Sequence, residues 1–318
     1  MVECTAFEMR KALTGLRGSN PLTSAISLIK HMHDKVKLVK SMYPCQNMPV
    51  VEFAVRCPKP CLYCDLCVRK FSDDEIIASG TENVLQVLSK YKKAYFSGVS
   101  DCFLEKNKNL THNLLRDVWK TNKDFIPLVI TKQAIPEKTI KLFIKNKERV
   151  IVFVSIPSLN DELLAILEPG AVSASKRLSQ IKKLTEAGVY VVAVIMPWFG
   201  IYGEKEKIED LPRELSKVGI KKCVIGTGVL PEIQREKFLK TKNKEILKAV
   251  AEMTVEKQVT TKIGYTVPFK KRAKAFKELV EVLDKYGIKG RVCTADNPDL
   301  INKTKLPLCT KSDNPLCA

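Results

Sequence analysis

The sequence of 318 residues has no apolar run near the ~20 residues that cross a bilayer. Its longest such stretch, Val189 to Met196, is far shorter, and residues 1–20 lack the apolar centre of a secretory signal. Histidine is scarce, with three in all, and none is spaced as a metal pair, although His31 and His33 sit close in a basic segment. HExxH, Walker and GxGxxG patterns are absent, which removes support for zinc-hydrolase, ATPase and dinucleotide readings. Acid is also in deficit: 35 Asp and Glu face 54 Lys and Arg, a net charge of +19 that suits an anionic partner such as nucleic acid. Apolar residues are not lacking. At 45% hydrophobic and 28% charged, the chain can build a substantial core, which excludes disorder and collagen. These features lead to the expectation of a cytoplasmic protein without a membrane span. In a reducing compartment its 11 cysteines are thiols, metal ligands or redox groups rather than a disulfide framework.

From Val50 onward, short runs rich in Val, Ile and Phe alternate with helix-compatible segments. Strands are expected at Val51 to Val55, Lys93 to Ser97, Pro127 to Ile130, Val150 to Ser155, Val189 to Ile195 and Lys222 to Ile225. Helices are expected at Asp73 to Lys92, Asn113 to Lys120, Pro136 to Asn146, Ser173 to Ala187 and Ile208 to Val218, with Gly188 and Gly219 at helix ends. Six β/α units predict a partial (β/α)6 parallel barrel with chemistry at the C-terminal strand ends, and a doubly wound open sheet is the alternative. Residues 50–231 form this core. Residues 1–49 read as a helical N-terminal extension and 232–318 as a helical, basic C-terminal extension.

Directly after the first of these strands lies Cys57-Pro-Lys-Pro-Cys61-Leu-Tyr-Cys64. Three thiols so close on irregular backbone can converge on one metal centre. Structural zinc or a fully protein-held cluster would require a fourth ligand, for which Cys67 is in reach by sequence.

The C-x3-C-x-aromatic-C spacing in the loop after the first barrel strand resembles the signature of the radical S-adenosylmethionine superfamily. The resemblance implies a [4Fe-4S] cluster on Cys57, Cys61 and Cys64, with one iron left open to bind S-adenosylmethionine. It further implies reductive cleavage to a 5′-deoxyadenosyl radical that abstracts hydrogen from a substrate. A reductant such as ferredoxin or flavodoxin is the implied electron source, and Tyr63 is implied to lie against the cofactor through its backbone.

Further segments narrow the likeness to the spore photoproduct lyase branch, over roughly residues 50 to 200: Phe96-Ser-Gly-Val-Ser-Asp101, Leu128-Val-Ile-Thr-Lys132, Phe153-Val-Ser155 and Leu167-Glu-Pro-Gly170. Carried over position by position, Ser100, Lys132 and Ser155 match residues that hold the cofactor, and Lys132 suits its carboxylate as a point charge. Arg177 is implied either to point to the cofactor or to pair with Glu168. Two departures stand out. Gly98 occupies the place of the family's hydrogen-donating cysteine, and Asp65 that of a tyrosine on its radical return path. Cys102, four residues beyond Gly98, is the candidate for a displaced donor, against the plainer reading of a small buried residue.

The C-terminal stretch carries Cys293, Cys309 and Cys317, a spacing that permits an auxiliary iron–sulfur cluster or zinc without being diagnostic of either. Cys4, Cys45 and Cys223 have no partner at a recognisable spacing. Basic charge is densest here too, with 19 Lys and Arg against 11 Asp and Glu in residues 231–318. Lys270, Lys271, Arg272, Lys274 and Lys277, interleaved with Phe269 and Phe276, read either as a solvated helix start or as a phosphate contact. The expectation is therefore a lyase-like radical enzyme acting on nucleic acid, in repair or modification. A radical enzyme for a small molecule, lipid or peptide is one alternative, and a non-catalytic zinc-containing nucleic-acid-binding protein is another.

Overall fold

The computed structural model describes residues 36–40, 48–53, 57–64, 72–198, 207–257 and 263–309. Its strands are β1 Val36–Val39, β2 Val50–Phe53, β3 Ile76–Ser79, β4 Lys93–Phe96, β5 Ile126–Thr131, β6 Ile151–Ser155, β7 Tyr190–Ile195, β8 Lys222–Ile225, β9 Thr254–Lys257, β10 Ile263–Thr266 and β11 Lys289–Val292. Nine of them form one open sheet in the order β11-β8-β7-β6-β5-β4-β2-β1-β3, and β9 and β10 pair separately. From β2 to β11 each neighbouring pair is parallel, while β1 is antiparallel to both β2 and β3. This is a partial barrel, as the β/α alternation predicts, and its sheet does not close.

Alternation along each strand sorts the apolar side chains into two layers. Val51, Phe53, Phe96, Val129, Val152, Val154, Val191, Ala193 and Ile225 face a core completed by helices. Val50, Tyr95, Leu128, Phe153, Val192, Val194 and Val224 pack on the other, inner face. Burying one such side chain is worth roughly 1.5–3 kcal/mol, whereas a cross-strand pair contributes about 0.2–1 kcal/mol. Burial on both faces therefore fixes the register, since a one-residue slip would exchange the two layers.

The helices are α1 Thr81–Leu88, α2 Lys108–Thr121, α3 Glu137–Lys145, α4 Asp161–Leu167, α5 Ala174–Glu186, α6 Asp210–Lys217, α7 Glu232–Leu239, α8 Lys244–Ala251 and α9 Phe269–Lys285. Several starts are capped as their sequences suggest: Asn160 accepts from Leu163, Ser173 from Lys176, and Asn243 from Glu245 and Ile246. Gly188 and Gly219 follow α5 and α6 with φ of 82° and 83° and let the chain turn into the next strand.

Three regions differ from expectation. Residues 73–92 are not one helix: a short turn, Asp73–Glu75, leads into β3, and Gly80 at φ 87° separates β3 from α1. Ile76 and Ile77 are β-branched and find an antiparallel partner in β1, which outweighs their weak helix propensity. Within 1–49, Val36–Val39 forms a strand between β2 and β3, while residues 1–35 lie outside the described residues. The C-terminal region adds β11, a seventh parallel strand beside β8, and its Gly290 and Val292 pair with Cys223 and Ile225. A polar-looking KGRV segment hides that strand in the sequence.

Candidate active site

The segment Cys57–Cys64 follows β2 and its three cysteines are half-buried. Three elements hold it. Cys64 N–H donates to Cys61 O at 3.0 Å, closing a turn, and Leu62 N–H donates to Leu167 O, at the end of α4, at 2.9 Å. The Tyr63 hydroxyl donates to Glu168. From α7, Gln234 Nε2 donates to Cys64 O at 2.9 Å. The Leu62 and Tyr63 side chains also pack against an apolar cluster of Leu163, Leu167, Leu230, Phe238, Ile246 and Val250. The Glu-Pro-Gly turn closes over the loop: Gly170 has φ 92°, and a Cβ there would stand 3.4 Å from Lys59 Cβ.

Below the loop lies a buried ionic set. Glu168 pairs with Arg177 at 2.6 Å, and both side chains are 0% exposed. Arg177 also donates to Val172 O and Ser155 O, each at 2.8 Å. Of its two expected uses, the structure shows the ion pair with Glu168. The Lys132 ammonium lies 5.9 Å from the centre of the Tyr63 ring. Burial works to lower its pKa, but the negative charges of Cys61, Glu168 and Asp101 outweigh that and hold it above its ordinary value. Lys132 is thus a cation at every physiological pH. Burial pushes the Cys61 thiol up to about 11, against a smaller opposing pull from Lys132. It raises Cys57 too, although the Asp101 backbone N–H donates toward that sulfur.

Ser100 is buried in a different network. Its hydroxyl stands 2.8 Å from Glu52 Oε1 and 3.1 Å from Phe53 O, while Val99 N–H and Ser100 N–H donate to the same carboxyl at 2.7 and 3.0 Å. Ser97, at φ 79°, starts the turn that aims these two amides, and its hydroxyl accepts from Cys102 N–H at 2.6 Å. Burial raises Glu52 above the usual carboxylate range despite these bonds. Asp101 is raised for the same reason; it accepts from Thr131 Oγ1, Lys132 N–H and Phe103 N–H. Ser155 is buried at the end of β6 on the inner-face parity of Phe153.

The structure thus brings Cys57, Cys61, Cys64, Tyr63, Lys132 and Arg177 to one mouth of the sheet. Cys102 goes elsewhere: it is 0% exposed within the helix-side core, its sulfur 3.9 Å from Ile130 O. That placement is of a small buried residue, because the strand-end turn points the side chain outward to the helices. Cys293 and Cys309 lie at the β11 edge of the sheet, whereas Cys317, Cys67, Asp65, His31 and His33 lie outside the described residues. Sequence reasoning missed Glu52, Asp101 and Gln234. An acid in the apolar run Val50-Val-Glu-Phe53 was a usable signal for Glu52; Gln234 has none, since only the fold carries α7 to the cysteine loop.

A metal centre is tested against this donor set as follows. Among the described residues, no three His, Cys, Asp or Glu side chains stand together as a metal-holding group. The three sulfurs nevertheless share one short, externally braced loop and are soft ligands suited to iron–sulfur or zinc chemistry. Beside Cys64, Gln234 is 2% exposed and its Oε1 has no hydrogen-bond partner among the described residues. An orphaned buried acceptor of this kind marks a place where a donor is missing.

No family model matches the chain. An uncharacterized protein, ORF301, of Acidianus two-tailed virus is 24% identical over 208 residues, covering 64% of this chain and 62% of that relative. The match therefore spans under two thirds of that relative's length. Among solved structures, spore photoproduct lyase complexed with dinucleoside spore photoproduct superposes with a TM-score of 0.56 at 17% identity, covering 79% of this chain and 78% of that one. A mutant of the lyase with bound AdoMet and dinucleoside spore photoproduct gives 0.53 at 17% identity, over 72% of each chain. SuiB of Streptococcus suis gives 0.51 at 16% identity, over 94% of this chain and 63% of its own. At these identities the likeness establishes a shared fold. Among the described residues, no helix is long and apolar enough to cross a membrane.

Proposed function

We propose that this chain is a radical S-adenosylmethionine enzyme. The observation that carries the reading is the braced Cys57–Cys64 loop at the C-terminal mouth of a partial parallel barrel, facing a buried, permanently charged lysine. Cys57, Cys61 and Cys64 would hold a [4Fe-4S] cluster, which when bound supplies one-electron cleavage of the cofactor's sulfonium, with ferredoxin or flavodoxin as the reductant. The chain's own residues do the rest. Lys132, kept cationic by Cys61, Glu168 and Asp101, is the partner for the cofactor's carboxylate. Glu168 and Arg177 hold the Tyr63 hydroxyl and thereby the loop's geometry, while Gln234 fixes the Cys64 carbonyl from the other side. Ser100 and Ser155 lie at the ends of the strands that line the site, and the Glu52 carboxyl orients Ser100. Tyr63 contributes its backbone to the cofactor side of the loop.

For the substrate we propose nucleic acid, in a repair or modification reaction and in a cytoplasmic setting. Supporting this are the net charge of +19 and the fold shared with a lyase whose structure contains a dinucleoside photoproduct. One observation favours the small-molecule, lipid or peptide alternative. On α9, Arg272 is buried, and Lys271, Lys274 and Lys277 lie 3.1, 3.8 and 3.8 Å from Glu252, Glu278 and Glu281. That helix offers less unpaired charge to phosphates than its sequence suggests.

Anaerobic reconstitution tests the reading. The protein should bind iron and sulfide, turn brown, and release 5′-deoxyadenosine from S-adenosylmethionine on reduction. A colourless, zinc-loaded protein that leaves the cofactor intact would establish the non-catalytic alternative instead. Oligonucleotide affinity should fall steeply between low and moderate salt; an absence of binding even at low salt would leave the small-molecule substrate as the reading.

A further inference from the structure

At the other end of the parallel array, β11 is extended by residues 307–309. Val292 and Leu308 form a parallel bridge, in which Val292 N–H donates to Pro307 O at 3.0 Å and Cys309 N–H donates to Val292 O at 2.8 Å. One residue beyond that bridge on each strand stand Cys293 and Cys309. Val292 and Leu308 both pack into the helix-side core, so alternation turns the two cysteines together to the inner face. Cys293 packs there against the inner apolar cluster, and Cys309 is 5% exposed.

The backbone around these thiols is pinned more tightly than a connecting segment requires. Cys293 N–H donates to Ile225 O at 2.8 Å, and its carbonyl accepts from Asn297 Nδ2 at 3.0 Å. Thr294 Oγ1 donates to Cys309 O at 3.0 Å. Asn297, 0% exposed, is in turn reached by Arg272 Nη1 at 2.9 Å and Thr227 Oγ1 at 3.3 Å, and Arg272 pairs with Asp299 at 2.5 Å. A buried guanidinium is costly to place, and here it rigidifies the short segment that sets two thiols side by side.

We propose that Cys293 and Cys309 are two ligands of a second metal site, one that takes a thiophilic divalent cation such as Zn2+. Neighbouring strands lie about 4.8 Å apart, a spacing from which two thiolates on one face can converge on a single ion at Zn–S distances of about 2.3 Å. Held backbone and restricted rotamers are what a preorganised metal site needs. The remaining positions fall to water or to Cys317, which the sequence alone supplies. This site goes beyond the enzyme reading and does not depend on it.

The test removes the first site altogether. In a full-length Cys57→Ala/Cys61→Ala/Cys64→Ala variant stripped of metal, Co2+ titration should develop thiolate-to-cobalt charge-transfer absorption saturating near one equivalent. Adding Cys293→Ser or Cys309→Ser should weaken Co2+ binding at least about 100-fold. Unchanged affinity in either serine variant would overturn the assignment, as would absence of Co2+ absorption or thiol counting that shows the two sulfurs joined as a disulfide. Should the triple variant fail to fold, native mass spectrometry of the otherwise unaltered chain decides: Cys293→Ser should lose one zinc ion per chain, and equal zinc content would refute the site. Because the first three cysteines are absent from the titration, its failure leaves the enzyme reading untouched.

Discussion

Two buried arginines brace two cysteine-bearing segments, and they do so in different ways. Arg177 reaches the Cys57–Cys64 loop through Glu168 and Tyr63, with both members of the ion pair 0% exposed. Arg272 reaches the Cys293–Cys309 segment through Asn297 and Asp299, and the Asp299 side chain remains 23% exposed. In the first region, removing one partner strands a charge out of reach of water. In the second, the carboxylate left behind can rehydrate. The contrast teaches that the first brace is part of a closed site, whereas the second borders the surface and serves mainly to hold backbone.

The most damaging way to break this comparison is to remove the loop's thiols. Cys57→Ala, Cys61→Ala and Cys64→Ala should each abolish 5′-deoxyadenosine formation with little change in far-UV circular dichroism, and an undiminished rate in any one would remove that residue from the ligand set. Next in size is Arg177→Met, which leaves Glu168 buried and unpaired and should cost about 3–5 kcal/mol in urea unfolding. The double change Arg177→Met/Glu168→Leu should recover much of that loss, because no buried charge remains; a loss below about 1 kcal/mol in the single variant would show that the pair is not structurally required.

Arg272→Met should cost less, roughly 1–3 kcal/mol, since Asp299 can turn to solvent. Equal losses for the two arginines would erase the distinction between a closed and an open brace. The smallest effect is expected from an ion pair with neither brace nor burial. Hydrogen bonding to Arg116 holds Asp117 down at about 2, and Lys120 adds to it. A carboxylate depressed in the folded state stabilises above its unfolded pKa, and that contribution fades as pH falls from about 4 toward 2. Because the pair is solvent-screened, it should amount to under about 1 kcal/mol. Asp117→Asn should therefore shift the neutral-pH denaturation midpoint only slightly and flatten its dependence below pH 4; a shift as large as that of Arg272→Met would contradict the ranking.

Legibility followed the same division. The loop cysteines, Lys132 and the strand ends around them were readable because their spacing is local: thiols three and two residues apart, and strands marked by short β-branched runs. Glu168 was readable as a partner of Arg177 because both lie on one connected α4–α5 segment. Gln234 was not, since its contact with Cys64 spans 170 residues and nothing near it in sequence marks a site. The turn after β4 hid its details too: Ser100 could be aligned, but its use by the Glu52 carboxyl depends on a positive φ at Ser97. Cys102 shows the converse, a thiol close in sequence to the site whose strand-end turn sends it to the helix-side core.

By itself, the sequence determined the parallel β/α core, the three-thiol loop and the excess of positive charge, because periodicity, short-range spacing and composition are properties of neighbouring residues. Tertiary structure decided the remainder. It made the C-terminal region part of the sheet through β11, brought α7 against the cysteine loop, and set Cys293 beside Cys309. Those outcomes rest on long-range pairing, in which a weak local pattern such as Lys289–Val292 becomes a strand once a buried neighbour supplies its hydrogen bonds and a face to cover.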